Sequence, residues 1–354
     1  MNVIVTVDRN SGFCWGVVRA VDFAEAELSA VDSRSSIVDR QGVDVDSRSL
    51  IVDSQNADSD HRPSTIDALR PRLFSLGDII HNPMEIERLG AEGLATIRHS
   101  DFERIAAENK LNGTHTKVLI RAHGEPPSTY EMAKKFGIEL IDATCPVVTK
   151  VQERIKKFYD KGFQIVIFGK KDHAEVIGLR GVVNDEAIVV KTVAEAMEQV
   201  TLDKPTVLFS QTTMDKPTFY AIRDELKSRL KELVVAEMEE DAVEFHAKDT
   251  ICGQVSGREK KLIEFAQSND AMIFVAGRTS SNGKVLYEIA KLANPNTYFI
   301  EQENELNEDW FNGIKTVGIS GATSTPMWLM DRVKDAVYRM CGEPEKAELL
   351  PVIS

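Results

Sequence analysis

The sequence predicts an α/β protein built from three similar units that face one axis. Three observations predict it. Short β-rich runs alternate with amphipathic helical stretches, three cysteines recur at matching places, and polar clusters recur at the ends of the expected strands.

The alternation comes first. Lys117 to Ile120, Gln164 to Phe168, Ala187 to Val190, Thr206 to Phe209, Ala271 to Val275, Thr297 to Ile300 and Thr316 to Ile319 are short apolar runs with the composition of buried strands. Amphipathic stretches such as Pro217 to Leu233 and Ser281 to Leu292 lie between them. Strand–helix alternation of this kind predicts parallel sheets covered by helices.

The cysteines come second. Cys14, Cys145 and Cys252 each precede a valine by three residues, in CWGV, CPVV and CGQV. They lie about 130 and about 110 residues apart, too long a period for a solenoid repeat. The expected units are 15–145, 146–248, and 1–14 joined with 249–335, followed by a tail over 336–354. One stretch breaks the pattern. Val31 to Asp39 (VDSRSSIVD) and Val45 to Asp53 (VDSRSLIVD) are near copies within a segment rich in Ser, Asp and Arg. Such composition buries too little apolar surface to offset its ordering entropy. A mobile inserted loop over about 31–64 is expected, with an extra hairpin as the alternative.

The polar clusters come third. His81-Asn82-Pro83 and Arg121-Ala122-His123-Gly124 fall in the first unit. His173-Ala174-Glu175 and Gln211-Thr212-Thr213 fall in the second. Ser280-Ser281-Asn282 and Thr323-Ser324-Thr325-Pro326 fall in the third. Ligands bind at the carboxyl ends of strands in open α/β sheets, so three units around an axis would bring these clusters and the cysteines to a common centre.

Composition limits the function. Charged residues make up 28% of the 354-residue chain and the net charge is −13, a poor match to nucleic acid, which is held by Lys and Arg. No apolar run approaches the roughly 20 residues of a membrane span. Met1 to Asn10 lacks the basic and apolar parts of a signal peptide. A cytoplasmic, reducing setting is expected, where cysteines are thiols or metal ligands rather than disulfides.

A single buried cysteine is ordinarily a small hydrophobe, but three at equivalent places point to ligation. Structural zinc takes four ligands, with cysteines in CxxC pairs, and no such pair occurs here. Catalytic zinc on three cysteines remains open. A [4Fe–4S] cluster on three cysteines would leave one iron without a protein ligand. Cys341, outside the repeat, reads as structural. Ser280, Ser281, Asn282 and Ser324 precede helical stretches, where free N–H groups and the helix dipole suit phosphate. His81, His123 and His173 could add donors. Glu175, two residues from His173 and with Thr212 as a hydrogen-bond partner, could supply a proton. Neither a P-loop nor a CxxxCxxC motif is present. A lyase-type [4Fe–4S] dehydratase and a non-catalytic iron–sulfur or zinc sensor stay as alternatives.

In order along the chain, the motifs GFCWGV, HNP, RAHG, DATCPVVTKV, HAEVIG, SQTT, TIC, SSN and STP resemble the 4-hydroxy-3-methylbut-2-enyl diphosphate reductase family. The resemblance spans Cys14 to Pro326 apart from the insertion. It implies a trefoil of three pseudo-symmetric α/β domains around a central [4Fe–4S] cluster ligated by Cys14, Cys145 and Cys252. His81, His123, His173, Ser280, Ser281, Asn282 and Ser324 are then substrate-binding, mostly at the diphosphate. Glu175 is the proton donor, and Thr212 its partner near the substrate hydroxyl. A small ferredoxin or flavodoxin is the implied electron donor. Two departures stand out, the insertion and the stretch Gly253 to Gly257 after TIC, where many relatives carry an aromatic-containing sequence.

Overall fold

In a computed structural model, residues 3–38, 73–237 and 243–342 are described. The chain begins with strand β1 (Ile4–Val7) and helix α1 (Trp15–Val38). The first unit continues through β2 (Leu73–Leu76), α2 (Pro83–Ala91), β3 (Leu94–Ile97), α3 (Phe102–Asn112), β4 (Lys117–Ile120), α4 (Pro127–Phe136) and β5 (Glu139–Asp142). The second comprises α5 (Pro146–Tyr159), β6 (Gln164–Phe168), α6 (Ala174–Gly181), β7 (Ile188–Val190), α7 (Val193–Gln199), β8 (Thr206–Ser210), α8 (Lys216–Glu237) and β9 (Phe245–Ala247). The third comprises α9 (Gly253–Ser256), α10 (Arg258–Gln267), β10 (Ala271–Val275), α11 (Ser281–Ala293), β11 (Thr297–Ile300), β12 (Thr316–Gly321) and α12 (Met327–Cys341).

Among the described residues each unit holds one four-stranded sheet, and every pairing is parallel. The strand orders are β3-β2-β4-β5, β7-β6-β8-β9 and β11-β10-β12-β1. Numbered within its own unit, each sheet reads second, first, third, fourth. In the third sheet the fourth strand is β1, brought from the start of the chain to pair with β12, Ile4 opposite Thr316. The three sheets thus share one topology.

The same physics covers each sheet on both faces. Successive strand residues point to opposite sides. Ile165 and Ile167 of β6 pack with Val151, Ile155, Val176 and Leu179 of α5 and α6, while Val166 and Phe168 pack with Phe219, Ile222 and Leu226 of α8. In the third sheet Ile273 and Val275 meet Leu329, Val333 and Val337 of α12, and Met272 and Phe274 meet α10 and α11 through Leu262 and Leu286. Phe274 is fully buried, and truncating such a side chain to alanine costs about 3–5 kcal/mol.

The topology fixes where the centre falls. In a second-first-third-fourth order the chain leaves the first and third strands in opposite directions, and the crevice at their carboxyl ends is the ligand position. Those strands are β2 and β4, β6 and β8, β10 and β12.

Two expected boundaries shift. The inserted loop was expected from residue 31, yet α1 runs on to Val38, because extending an existing helix avoids the cost of a new nucleus. Residues 39–64 of that expectation lie outside those described. The tail was expected from residue 336, but α12 continues to Cys341 and buries Ala336, Val337 and Cys341. These apolar residues continue the face of α12 that packs on β1 and β12, so Cys341 is a core residue.

Candidate functional site

The fourth strand of each sheet leads to a cysteine that opens the next helix. β1 leads to Cys14 ahead of α1, β5 to Cys145 as N-cap of α5, and β9 to Cys252 as N-cap of α9. A helix N-terminus favours negative charge and lowers the cost of a thiolate. The Val17 N–H faces Cys14, and the Val147 and Val148 N–H groups face Cys145. Burial nevertheless pushes both thiols up, and Cys145 and Cys252 add to the rise at Cys14. Cys14 therefore senses the other two half-buried thiols, and Cys145 senses Cys252, across a shared space. Gly16 helps to make that space, since a Cβ there would sit 2.8 Å from the Cys145 Sγ.

The central strands deliver the rest. β2 leads to His81, β4 to His123, β6 to His173 and Glu175, β8 to Thr212, β10 to Ser280 through Asn282, and β12 to Ser324. All twelve residues singled out from the sequence line one cavity.

The three imidazoles come from two units and pack ring to ring, with centroids 4.8 to 5.4 Å apart. Burial lowers the pKa of each, and neighbouring positive charge lowers it further: His173 falls to about 3 and His123 lies well below its ordinary value. The imidazoles are therefore neutral at neutral pH. His173 Nδ1 accepts the Glu175 backbone N–H at 3.2 Å as the N-cap of α6, which puts the ring proton on Nε2. His81 Nε2 and His123 Nδ1 are buried without a partner, as expected of groups that await a ligand. Among the described residues, the ligand atoms of this trio lie within 4.8 Å of one another, close enough to share a cation.

The third unit adds hydroxyl and amide donors at the start of α11. Ser280 caps the helix by accepting the Gly283 N–H at 3.0 Å. Asn282 Oδ1 accepts the Thr323 N–H at 2.9 Å, so its Nδ2, buried and unpartnered, is left as a donor. Ser324 Oγ reaches Ser280 Oγ at 3.3 Å. The loop lies hard against the first unit, for a Cβ on Gly277 would come within 2.2 Å of the His81 carbonyl oxygen.

Glu175 is buried, at 1% exposure. The Thr212 N–H and Oγ–H donate to its two carboxylate oxygens, each at 2.7 Å. Burial raises its pKa, the two hydrogen bonds oppose the rise, and burial wins: the carboxyl sits at about 7.

Three cations join the site, of which Arg258 and Lys170 carried no sequence signal of their own and Arg121 stood within a strand-end cluster without a role. Arg258 donates to the Gly12 carbonyl at 2.6 Å and lies within electrostatic reach of Cys14 and Cys252. The unusual stretch after TIC places it there. α9 lasts only four residues, and Gly257 lets α10 start at once, since a Cβ there would meet the Gly253 oxygen at 2.6 Å. Arg121, packed over Gly77, and Lys170, whose Nζ donates to Ser281 Oγ at 2.8 Å, border the histidines. Lys170 lies close to the His173 strand-end motif in sequence, while Arg121 opens the RAHG motif itself.

The fold and site define a class: a three-unit α/β protein of pseudo-threefold design, with one cysteine from each unit and a buried carboxyl, three histidines and a helix start bearing hydroxyl and amide donors around a single cavity. Comparison with known proteins narrows it. The family model described as LytB protein matches residues 63–338. The 4-hydroxy-3-methylbut-2-enyl diphosphate reductase of Chloroherpeton thalassium is 43% identical over 348 residues, covering 94% of this chain and 96% of that one. The enzyme of the same name from Parabacteroides distasonis is 41% identical over 333 residues, covering 93% and 95%. A solved structure of (E)-4-hydroxy-3-methyl-but-2-enyl diphosphate reductase, described as the terminal enzyme of the non-mevalonate pathway, aligns with a TM-score of 0.60 at 31% identity, over 96% of this chain and 99% of that one. A Plasmodium falciparum reductase structure, at 21% identity and a TM-score of 0.72, supports the fold alone, over 100% of this chain and 96% of that one. The chain belongs to the LytB family of 4-hydroxy-3-methylbut-2-enyl diphosphate reductases.

Proposed function

We propose that this chain is an iron–sulfur reductase. It takes 4-hydroxy-3-methylbut-2-enyl diphosphate, two electrons and two protons to isopentenyl and dimethylallyl diphosphate plus water. The observation that carries this reading is the convergence of three cysteines, a buried carboxyl and a set of unpartnered donors on one cavity.

Cys14, Cys145 and Cys252 would hold a [4Fe–4S] cluster. The chemistry of the donor set supports it: three sulfurs at helix N-termini, with Arg258 near two of them, suit an anionic group. When bound, such a cluster supplies electrons one at a time and Lewis-acid character at an iron that no cysteine ligates.

The protein's own groups do the remaining work. His81, His123, His173, Ser280, Ser281, Asn282 and Ser324 would anchor the diphosphate and so fix the hydroxyl-bearing end of the substrate. Neutral imidazoles can take up protons as the anion arrives, which turns each into a charge-assisted donor. Glu175, with a pKa of about 7, holds a proton near neutral pH and can give it to the departing hydroxyl, the condition that best serves a general acid. Thr212 would keep that carboxyl aimed.

The electron donor would be a small protein of the ferredoxin or flavodoxin type, and the setting cytoplasmic. Among the described residues no helix is long and apolar enough to cross a membrane.

The test is an anaerobic assay with the allylic diphosphate, with and without a reduced donor, alongside iron and sulfide counting. Electron-dependent release of both products is expected. Turnover without electrons would favour a lyase, and zinc in place of iron would overturn the cofactor.

A further inference from the structure

A second cavity of about 520 Å³ opens beside the histidines. Its lining includes Arg121, Lys170, Lys171, Lys191 and Lys284, against one acid, Asp172. This is a concentrated positive patch on a chain of net charge −13. His81, His173 and Ser281 belong to its wall and also to the wall of the central cavity. The two spaces therefore meet at the residues read above as the diphosphate site.

We propose that this vestibule is the port through which the substrate's diphosphate reaches the central cavity, and that Lys170 passes it to Ser281. The proposal rests on the reductase reading for the identity of the substrate. Its geometry stands on the vestibule itself.

Lys170 is half-buried, and its Nζ donates to Ser281 Oγ at 2.8 Å. A lysine that occupies a lone pair of the serine oxygen turns the serine's own proton away from itself, so Ser281 is set as a donor. The Lys170 backbone is fixed as well, its N–H donating to Gln211 Oε1 at 3.1 Å. Burial first, and then the like charges of Lys284 and Lys191, disfavour the charge on Lys170. An arriving diphosphate would offset both effects, and its affinity for the vestibule would come from the five cations that line it. The exposed Lys191, Lys284 and Lys171 then act at longer range. A cleft lined by one sign of charge raises the on-rate of an oppositely charged ligand and loses that effect in salt.

The test uses the holoenzyme and two readouts. Calorimetry with inorganic pyrophosphate and with orthophosphate measures binding without turnover, and kinetics with the allylic diphosphate at increasing ionic strength measures capture. Lys191→Gln combined with Lys284→Gln is expected to lower kcat/KM about tenfold at low salt, to leave kcat within about twofold, and to converge on the wild type at high salt. Lys170→Gln is expected to weaken pyrophosphate binding about tenfold, with Lys170→Arg restoring most of it. Orthophosphate is expected to bind more weakly than pyrophosphate. A double variant with the wild-type salt dependence, a Lys170→Gln protein with wild-type pyrophosphate affinity, or orthophosphate binding as tight as pyrophosphate would each overturn the port. A wild type that is inert on the allylic diphosphate, yet binds pyrophosphate through these lysines, would strike the reductase reading and support the port.

Discussion

Glu175 and Thr212 are joined by two 2.7 Å hydrogen bonds, in which one residue donates its backbone N–H and its hydroxyl to both oxygens of one carboxylate. The partners come from different strand ends, after β6 and β8, so the pair is a product of the tertiary fold. The chelate fixes the orientation of the carboxyl, while burial keeps its proton on up to about pH 7.

As the proposed proton donor Glu175 would work in its acid form, so activity is expected below about pH 7 and should be lost as pH rises through it. Glu175→Gln should keep the cluster's absorption and lose roughly 10²- to 10⁴-fold in turnover, along with the alkaline limb that this group sets. The stability sign is the reverse of an ordinary paired carboxylate. A pKa raised by folding means that the native state binds the extra proton between about pH 4.5 and 7, so the wild type loses stability against the glutamine variant across that window. Near-normal turnover in Glu175→Gln would sink the assignment.

Thr212→Val removes the hydroxyl bond and leaves the backbone bond. A hydrogen bond to a carboxylate favours its charged form, so its loss should raise the Glu175 pKa further and move the alkaline limb to higher pH. A pH–rate profile that stays in place would show that the limb belongs to another group.

Much of this architecture was legible in the sequence, and the gaps have a physical cause. β4, β6, β8 and β10 are central strands buried on both faces, and such strands read as unbroken apolar runs. β3 and β5 lie at sheet edges and keep exposed polar residues, as in Glu139-Leu-Ile-Asp142, so no run stands out. Edge position alone does not decide legibility, since the edge strands β7 and β11 are read from their apolar runs while the buried central strand β2 is not. The twelve candidate residues that line the cavity were legible because each follows a strand end, and the repeat of the pattern flagged them. Arg258 and Lys170 were not. Their roles depend on distances to Gly12 and Ser281, which lie 246 and 111 residues away.

The histidine trio predicts proton uptake on binding. The rings are neutral because burial and neighbouring cations depress them, His173 to about 3. A diphosphate placed among them would pull those pKa values upward. Calorimetry of pyrophosphate binding at pH 7 in buffers of different ionisation enthalpy should show a net gain of protons by the protein. Removing His123, whose Nδ1 is buried without a partner, as His123→Phe should weaken binding and reduce that uptake. A heat of binding independent of the buffer would mean that the rings stay neutral and bind through single N–H groups.

Gly16 and Gly277 test whether the site depends on close approach between units. A Cβ on Gly16 would meet the Cys145 Sγ at 2.8 Å, a side chain able to swing aside. Gly16→Ala should therefore fold and yet displace one of the three sulfurs, so that iron per chain falls while secondary structure is kept. Gly277→Ala is harsher, because the atom in its way is a backbone oxygen of His81, 2.2 Å distant. The loop or His81 must then move, and pyrophosphate affinity should drop about tenfold or more, as for other misplaced anchoring groups. Its iron content should be unchanged, since Gly277 packs on His81 and not on a cysteine. The two variants separate the cavity into a part that holds metal and a part that holds phosphate. Loss of iron in Gly277→Ala, or loss of pyrophosphate binding alone in Gly16→Ala, would show that the division is drawn in the wrong place.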